Sequence, residues 1–218
     1  MIVYTFSKEH TYIDFAKSVE EMPEGQRTAY VNITNQCNCA CTFCLRHLKE
    51  MSPSGSLWLT QEPTLAEIKE ALAAQDWSLI REIVFCGFGE PTMRLDVLLE
   101  ALRYVKEKQP SMKTRLNTNG LSALAFEKDT AHLFKGLLDT ISISLNAATA
   151  ADYQELTRSQ YGEQSYEAML DFAQKCKPYI KNVVLTVVDT IGTDEIEKCR
   201  SICEDRGLVL RVRPYEGK

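Results

Sequence analysis

Thr28-Ala-Tyr-Val-Asn-Ile-Thr34 runs straight into Asn35-Gln-Cys-Asn-Cys-Ala-Cys-Thr-Phe-Cys44, and this junction decides how the chain folds. The first part is rich in β-branched and aromatic residues and reads as a strand. A doubly wound α/β sheet that binds a dinucleotide carries its glycine fingerprint just after such a strand. Cysteines stand there instead, with Cys37, Cys41 and Cys44 in the spacing CxxxCxxC. A 4Fe-4S cluster that only carries electrons takes four cysteines. Three thiolates suit a cluster with one iron left open, by the logic that separates open catalytic metal sites from closed structural ones.

From residue 28 onward, strand-like and helix-like segments alternate, the pattern of βα units and a parallel sheet. Strands are expected near Thr28 to Thr34, Arg81 to Cys86, Lys113 to Thr118, Thr140 to Asn146, Asn182 to Val188 and Leu208 to Arg213. The first helix starts at Thr64, with Glu67 completing a capping box, and buries Leu65, Ile68 and Leu72. A second carries the stripe Leu95, Leu98, Leu99, Leu102 and Val105 and stops before Pro110. A third holds Phe126, Leu133, Phe134, Leu137 and Leu138; a fourth is split, with its longer part from Ser165 to Lys177; a fifth runs from Thr193 to Gly207. Six units in roughly 190 residues are too few for a complete eight-stranded barrel of ~250. The expected fold is therefore α/β, an open partial (β/α)6 TIM-like barrel. Residues 1–27 read as an N-terminal extension and 28–218 as one core domain, with a mobile loop at Ser52-Pro-Ser-Gly-Ser56.

Strict alternation in Thr140-Ile-Ser-Ile-Ser-Leu-Asn146 sends Ile141, Ile143 and Leu145 to one face and Ser142, Ser144 and Asn146 to the other. The apolar set is expected against the helices and the polar set toward the barrel interior. The same phase turns Arg115 and Asn117 inward on the third strand, Thr186 on the fifth, and Arg211 and Arg213 on the sixth. For the last two arginines a solvated edge strand explains the pattern equally well. Asn117, Ser144 and Asn146 sit toward the carboxyl ends of their strands, where parallel barrels bind ligands.

The second strand ends in Phe85-Cys-Gly-Phe-Gly-Glu-Pro-Thr92. A glycine-rich turn alone is weak evidence. Together with CxxxCxxC and the aromatic Phe43 before the last cysteine, however, this segment resembles the radical S-adenosylmethionine (SAM) superfamily, over most of the chain. The resemblance implies a 4Fe-4S cluster on Cys37, Cys41 and Cys44 whose open iron chelates SAM. An electron then splits the sulfonium, and the 5′-deoxyadenosyl radical takes hydrogen from a substrate. It places Phe43 near the adenine, assigns Gly87, Phe88, Gly89 and Glu90 to the motif that binds the SAM amine, and makes Ser144 and Asn146, at the end of the fourth strand, contacts to the ribose or methionine part of SAM; Asn117 joins them as a cofactor contact on its strand-end position. Glu90 either meets the amine or fixes its own loop. Arg158 either reaches the SAM carboxylate or is an exposed arginine. An external electron donor such as flavodoxin or ferredoxin is implied. The short start, the Asn32-Ile-Thr-Asn35 lead and the Cys86 to Thr92 form are most similar to the small TatD-associated radical SAM proteins, a family without a defined reaction.

Composition narrows the alternatives. The 25 basic and 30 acidic residues give a net charge of -5, which supplies no general drive toward nucleic acid or an anionic membrane. No apolar run reaches the ~18 residues of a membrane span and the start lacks a signal peptide's pattern, so a cytoplasmic protein is expected. Eight cysteines in a reducing compartment point to metal or chemistry rather than disulfides. Cys199 and Cys203 share a helical apolar face with Ile196 and Ile202 and belong in the core. Cys39 leaves open a closed site of four thiols, either zinc or a ferredoxin-like electron carrier without SAM cleavage. Zinc lacks a distant second pair of cysteines, and the carrier leaves the Gly87–Glu90 turn unexplained.

Overall fold

The computed structural model describes residues 1–48 and 56–215. Its strands are β1 (Val3–Phe6), β2 (Tyr12–Asp14), β3 (Arg27–Val31), β4 (Ile80–Phe85), β5 (Lys113–Thr118), β6 (Thr140–Ser144), β7 (Asn182–Val188) and β8 (Val209–Arg213). Its helices are α1 (Phe15–Glu21), α2 (Leu45–Leu48), α3 (Leu65–Ala73), α4 (Leu95–Lys108), α5 (Ser122–Phe126), α6 (Ala150–Thr157), α7 (Gln164–Cys176) and α8 (Thr193–Asp205). The chain divides into two compact units, Met1–Gln36 with Glu50–Leu116, and Cys37–Lys49 with Asn117–Lys218.

In the first unit β3 pairs parallel with β4, and β4 parallel with β5, as the alternation of elements requires. β1 joins the other side of β3 antiparallel and carries β2. Residues 1–27 thus extend this sheet, held by an aromatic cluster in which Tyr4 stacks on Tyr30 at 5.2 Å and meets Tyr12 edge-on at 5.6 Å. Arg27 ties the end of α1 down by donating to the carbonyls of Ser18 and Met22. The capping box at Thr64 is present in full: the Glu67 amide donates to the Thr64 hydroxyl and the Glu67 carboxylate accepts from the Thr64 amide. Leu98, Leu102 and Val105 of α4 are fully buried. Arg115 spends its charge on Glu82, 3.1 Å away on the neighbouring strand.

In the second unit β6, β7 and β8 form a parallel ladder in that order. Ile141, Ile143 and Leu145 are completely buried, matching the apolar face of the alternation. Cys199 and Cys203 lie in the core on α8, where burial pushes their thiols up to about 12 and about 11. Among the eight cysteines none forms a disulfide.

The expected third helix is not one helix. It breaks into α5 and a 3-10 turn at Ala131–Phe134, because Glu127 takes a left-handed conformation at φ 52° and the Ala131 amide at the start of the turn donates to Asp129 at 3.0 Å. A buried hydroxyl pair, Ser122 with Thr130 at 2.7 Å, closes the two pieces on each other. β6 also ends earlier than expected, at Ser144, since Asn146 turns left-handed at φ 63°. Ser52 to Gly55 of the expected loop lie outside the described residues.

Candidate functional site

The cysteine loop belongs to the second unit and is pinned there by its backbone. The Ala40 amide donates to Thr157 O at 2.9 Å, the Thr42 amide to Leu156 O at 2.9 Å, and the Gln160 amide to Asn38 O at 3.0 Å. The end of α6 and the segment after it therefore fix the path of residues 38–42. Cys37, Cys41 and Cys44 are half-buried and Cys39 is buried. Hydrogen bonds to Cys37 and then Cys41 hold the Cys39 thiol in its protonated form, well above the usual range. The same bond, seen from the other partner, lowers Cys41 below the usual thiol value. Burial raises Cys44.

Among the described residues no three Cys, His, Asp or Glu side chains converge closely enough to hold a metal ion as they stand. The donor chemistry nevertheless fits an iron-sulfur cluster. Three half-buried thiols, Cys37, Cys41 and Cys44, follow one another on a single loop whose backbone is anchored at residues 38–42.

A cavity of about 680 Å³ opens beside this loop within the same unit. Phe43 and Asn146, 103 positions apart in the chain, line it together. Asn146 is buried at the end of β6, and its left-handed backbone aims the side chain out of the strand's alternation. Asp152, Glu155 and Glu195 add carboxylates to the wall and Val188 and Leu156 add apolar surface. Sequence reasoning missed these residues; the signal available was their position just beyond the carboxyl ends of β6 and β7. Glu195 is oriented by the Ala148 amide, which donates to it at 2.9 Å.

Of the other expected contacts, Ser144 is half-buried and absent from the cavity wall. Asn117 has its side-chain oxygen buried with no partner in the protein, an acceptor still open to a ligand. Arg158 is exposed at the C-cap of α6, with φ 47°, and does not line the cavity.

In the first unit the turn Gly87–Glu90 packs against the lead into the cysteines. A Cβ on Gly87 would lie 2.1 Å from Asn32 Oδ1, and one on Gly89 would lie 2.4 Å from Thr34 O and 2.6 Å from Gln36 O. The glycines are required by this close approach whether or not a ligand is bound. The Glu90 amide donates to Gln36 O at 2.7 Å. The Glu90 carboxylate accepts from the Thr92 amide at 3.0 Å and hydroxyl at 2.8 Å, so it caps the 3-10 turn Pro91–Arg94. Its loop-fixing role is thereby visible. Phe88 is buried and meets Trp58 edge-on at 5.3 Å.

The sequence model of the radical SAM superfamily matches residues 31–202, which contain the anchored loop, the glycine turn and all of the residues lining the cavity except Tyr215. The chain belongs to the radical SAM superfamily. Radical SAM proteins use a 4Fe-4S cluster and SAM, and those are the cofactors of this chain. A GTP 3',8-cyclase of Corynebacterium glutamicum (strain R) is 34% identical over 191 residues, covering 85% of this chain and 48% of the cyclase. The dual-specificity RNA methyltransferase RlmN of Geobacter sulfurreducens is 33% identical over 143 residues, covering 63% of this chain and 37% of the methyltransferase. The chain thus spans about half or less of the length of these relatives. Among solved structures, the FeFe-hydrogenase maturase HydG from Carboxydothermus hydrogenoformans superposes with a TM-score of 0.62 at 16% identity, over 86% of this chain and 44% of that one. This likeness shows the fold, an α/β partial TIM barrel with a parallel sheet. No described helix is long and apolar enough to cross a membrane.

Proposed function

We propose that Cys37, Cys41 and Cys44 hold the 4Fe-4S cluster and that the cavity lined by Phe43 and Asn146 receives the adenosyl part of SAM, for hydrogen-atom abstraction from a substrate. The observation that carries this is the sharing of Phe43 between the anchored cysteine loop and the cavity wall. When bound, the cluster supplies the electron that splits SAM into methionine and a 5′-deoxyadenosyl radical. The Phe43 ring offers an apolar face to a purine. Asn146 presents an amide that both donates and accepts. Asp152, Glu155 and Glu195 are acceptors for ribose hydroxyls. Carbonyls of the Gly87–Gly89 turn are acceptors for the amine, with Glu90 holding the turn in shape. Asn117, Ser144 and Arg158 complete the set proposed to contact SAM, the open acceptor on Asn117 being the feature in its favour.

Radical SAM enzymes need an external reductant, and a flavodoxin or ferredoxin is the proposed donor. A cytoplasmic location is part of the proposal, because a reducing compartment suits a chain whose eight cysteines include a cluster loop. The Asn32–Asn35 lead and the Cys86–Thr92 form support a place among the TatD-associated proteins. A closed ferredoxin-like carrier is disfavoured by the cavity beside the cysteines.

The test is anaerobic reconstitution of the full chain with iron and sulfide, followed by reduction with SAM present. Release of 5′-deoxyadenosine is expected from the parent and its loss from Cys37→Ala, Cys41→Ala and Cys44→Ala, with Phe43→Ala needing more SAM for half-maximal release. A parent that carries a full complement of iron and sulfide yet releases none would remove the proposal. GTP is the first substrate to include, because relatives are named for cyclising it.

A further inference from the structure

Behind the cysteine loop lies a set of hydrogen-bond donors whose orientation is determined. The Leu121 amide donates to Asn119 Oδ1 at 3.0 Å, so the other end of that side chain must be its NH2 group. Asn119 Nδ2 faces Asn38 Oδ1 at 2.5 Å and Cys39 Sγ at 3.6 Å. Because a donor faces it, the Asn38 atom there is the oxygen, and the remaining Asn38 atom is Nδ2. That nitrogen is buried with no partner in the protein, on a residue only 4% exposed. An amide N–H out of water calls for an acceptor. Asn38 sits between Cys37 and Cys39, and the Cys39 thiol donates to Asn38 Oδ1 at 3.9 Å while accepting from Asn119 Nδ2. Cysteine sulfurs flank this position in the chain, at 37, 39 and 41.

We propose that Asn38 and Cys39, oriented by Asn119, donate hydrogen bonds to the sulfurs of the cluster held by Cys37, Cys41 and Cys44, and so set the potential at which it accepts an electron. This rests on the cluster assignment made above. Reduction by the external donor adds one negative charge to the iron-sulfur unit, and N–H or S–H donors to sulfur stabilise that charge. Cys39 is thus a positioning residue in the surroundings of the cluster and leaves the open iron to SAM. Its thiol donates to one sulfur at a time; the Asn38 amide supplies further donors.

The experiment compares the anaerobically reconstituted full chain with Cys39→Ala, Cys39→Ser and Asn38→Ala, reading iron and sulfide content and the paramagnetic signal of the reduced cluster during a potential titration. Cys39→Ala and Asn38→Ala are expected to load as the parent does. At the parent's midpoint their ratio of reduced to oxidised cluster should fall about three- to tenfold, the size of one hydrogen bond, where tenfold is 59 mV for one electron. Cys39→Ser, which keeps an O–H donor, should recover most of the ratio. Unchanged ratios in both alanine variants overturn the inference while leaving the cluster assignment standing. Loss of iron from Cys39→Ala overturns it too, by making Cys39 a ligand. A parent that takes up no cluster removes both.

Discussion

Gly89→Ala should destabilise the protein even when no cofactor is present. The new methyl would sit 2.4 Å from Thr34 O and 2.6 Å from Gln36 O, and both obstacles are main-chain atoms that no rotamer change moves aside. Relief requires separating the turn from the lead, which stretches the 2.7 Å bond from the Glu90 amide to Gln36 O. Overpacking of this kind costs about 1–3 kcal/mol, and a lost hydrogen bond about 1 kcal/mol more. A total of roughly 2–4 kcal/mol is a large share of a native stability of about 5–15 kcal/mol. For a chain of this size it lowers the melting temperature by roughly 5–15 °C. Thermal and urea unfolding of the apo protein measure it, with Gly136→Ala as reference. At Gly136 a Cβ meets nothing within 4 Å, and only the left-handed φ of 75° opposes it. That strain costs about 1–2 kcal/mol. If Gly89→Ala unfolds no more easily than Gly136→Ala, the packing argument is wrong, and the glycine serves a ligand instead.

Three further outcomes can be checked. Asn146→Gly should leave stability unchanged or slightly raised, whereas Asn146→Val should lose about 1–2 kcal/mol at its φ of 63°; both should weaken SAM binding by calorimetry. Thr64 lowers the Glu67 carboxyl below its ordinary 4.5 through backbone and side-chain hydrogen bonds, so this contribution is complete above that value and disappears as pH falls through the lower folded value. The stability gap between parent and Thr64→Ala, measured by urea titration, should therefore narrow in acid; a gap that widens there contradicts the sign. Cys176, Cys199 and Cys203, buried and with thiols raised to about 12, about 12 and about 11, should resist alkylation in the native apo protein while Cys41 reacts. Mass mapping reads this, and Cys199→Ala should keep full iron content.

Much of the molecule was legible before any coordinates. The capping box at Thr64 and Glu67, the stripe on α4 and the burial of Ile141, Ile143 and Leu145 are local or periodic signals, and each came out as read. Asn146 was singled out by its place at a strand end and Phe43 by its place in the cysteine loop, but that one cavity wall holds both shows only in the fold. The third helix failed because its apolar spacing could not reveal that Glu127 turns left-handed and that Asp129 takes the Ala131 amide as a new turn begins. Ser144 and Asn146 were assigned alike by alternation, but only Asn146 reached the cavity, since the strand had already ended. Glu155 and Glu195 were invisible because they sit on two helices, α6 and α8, that follow different strands and meet only in the fold. Asn38 hid in plain view: its meaning depends on Asn119, 81 positions away, whose own direction is fixed by Leu121.

The three main-chain bonds from residues 38–42 and 160 to their partners near the end of α6 bear on how the holoprotein matures. A loop tethered in this way has its curvature set before any iron arrives, so a delivery system meets a shaped receptacle and not a coil that must be ordered around its cargo. Inserting a few glycines between Thr157 and Gln160 would loosen the receptacle while leaving every thiol in place, and uptake kinetics would register the difference.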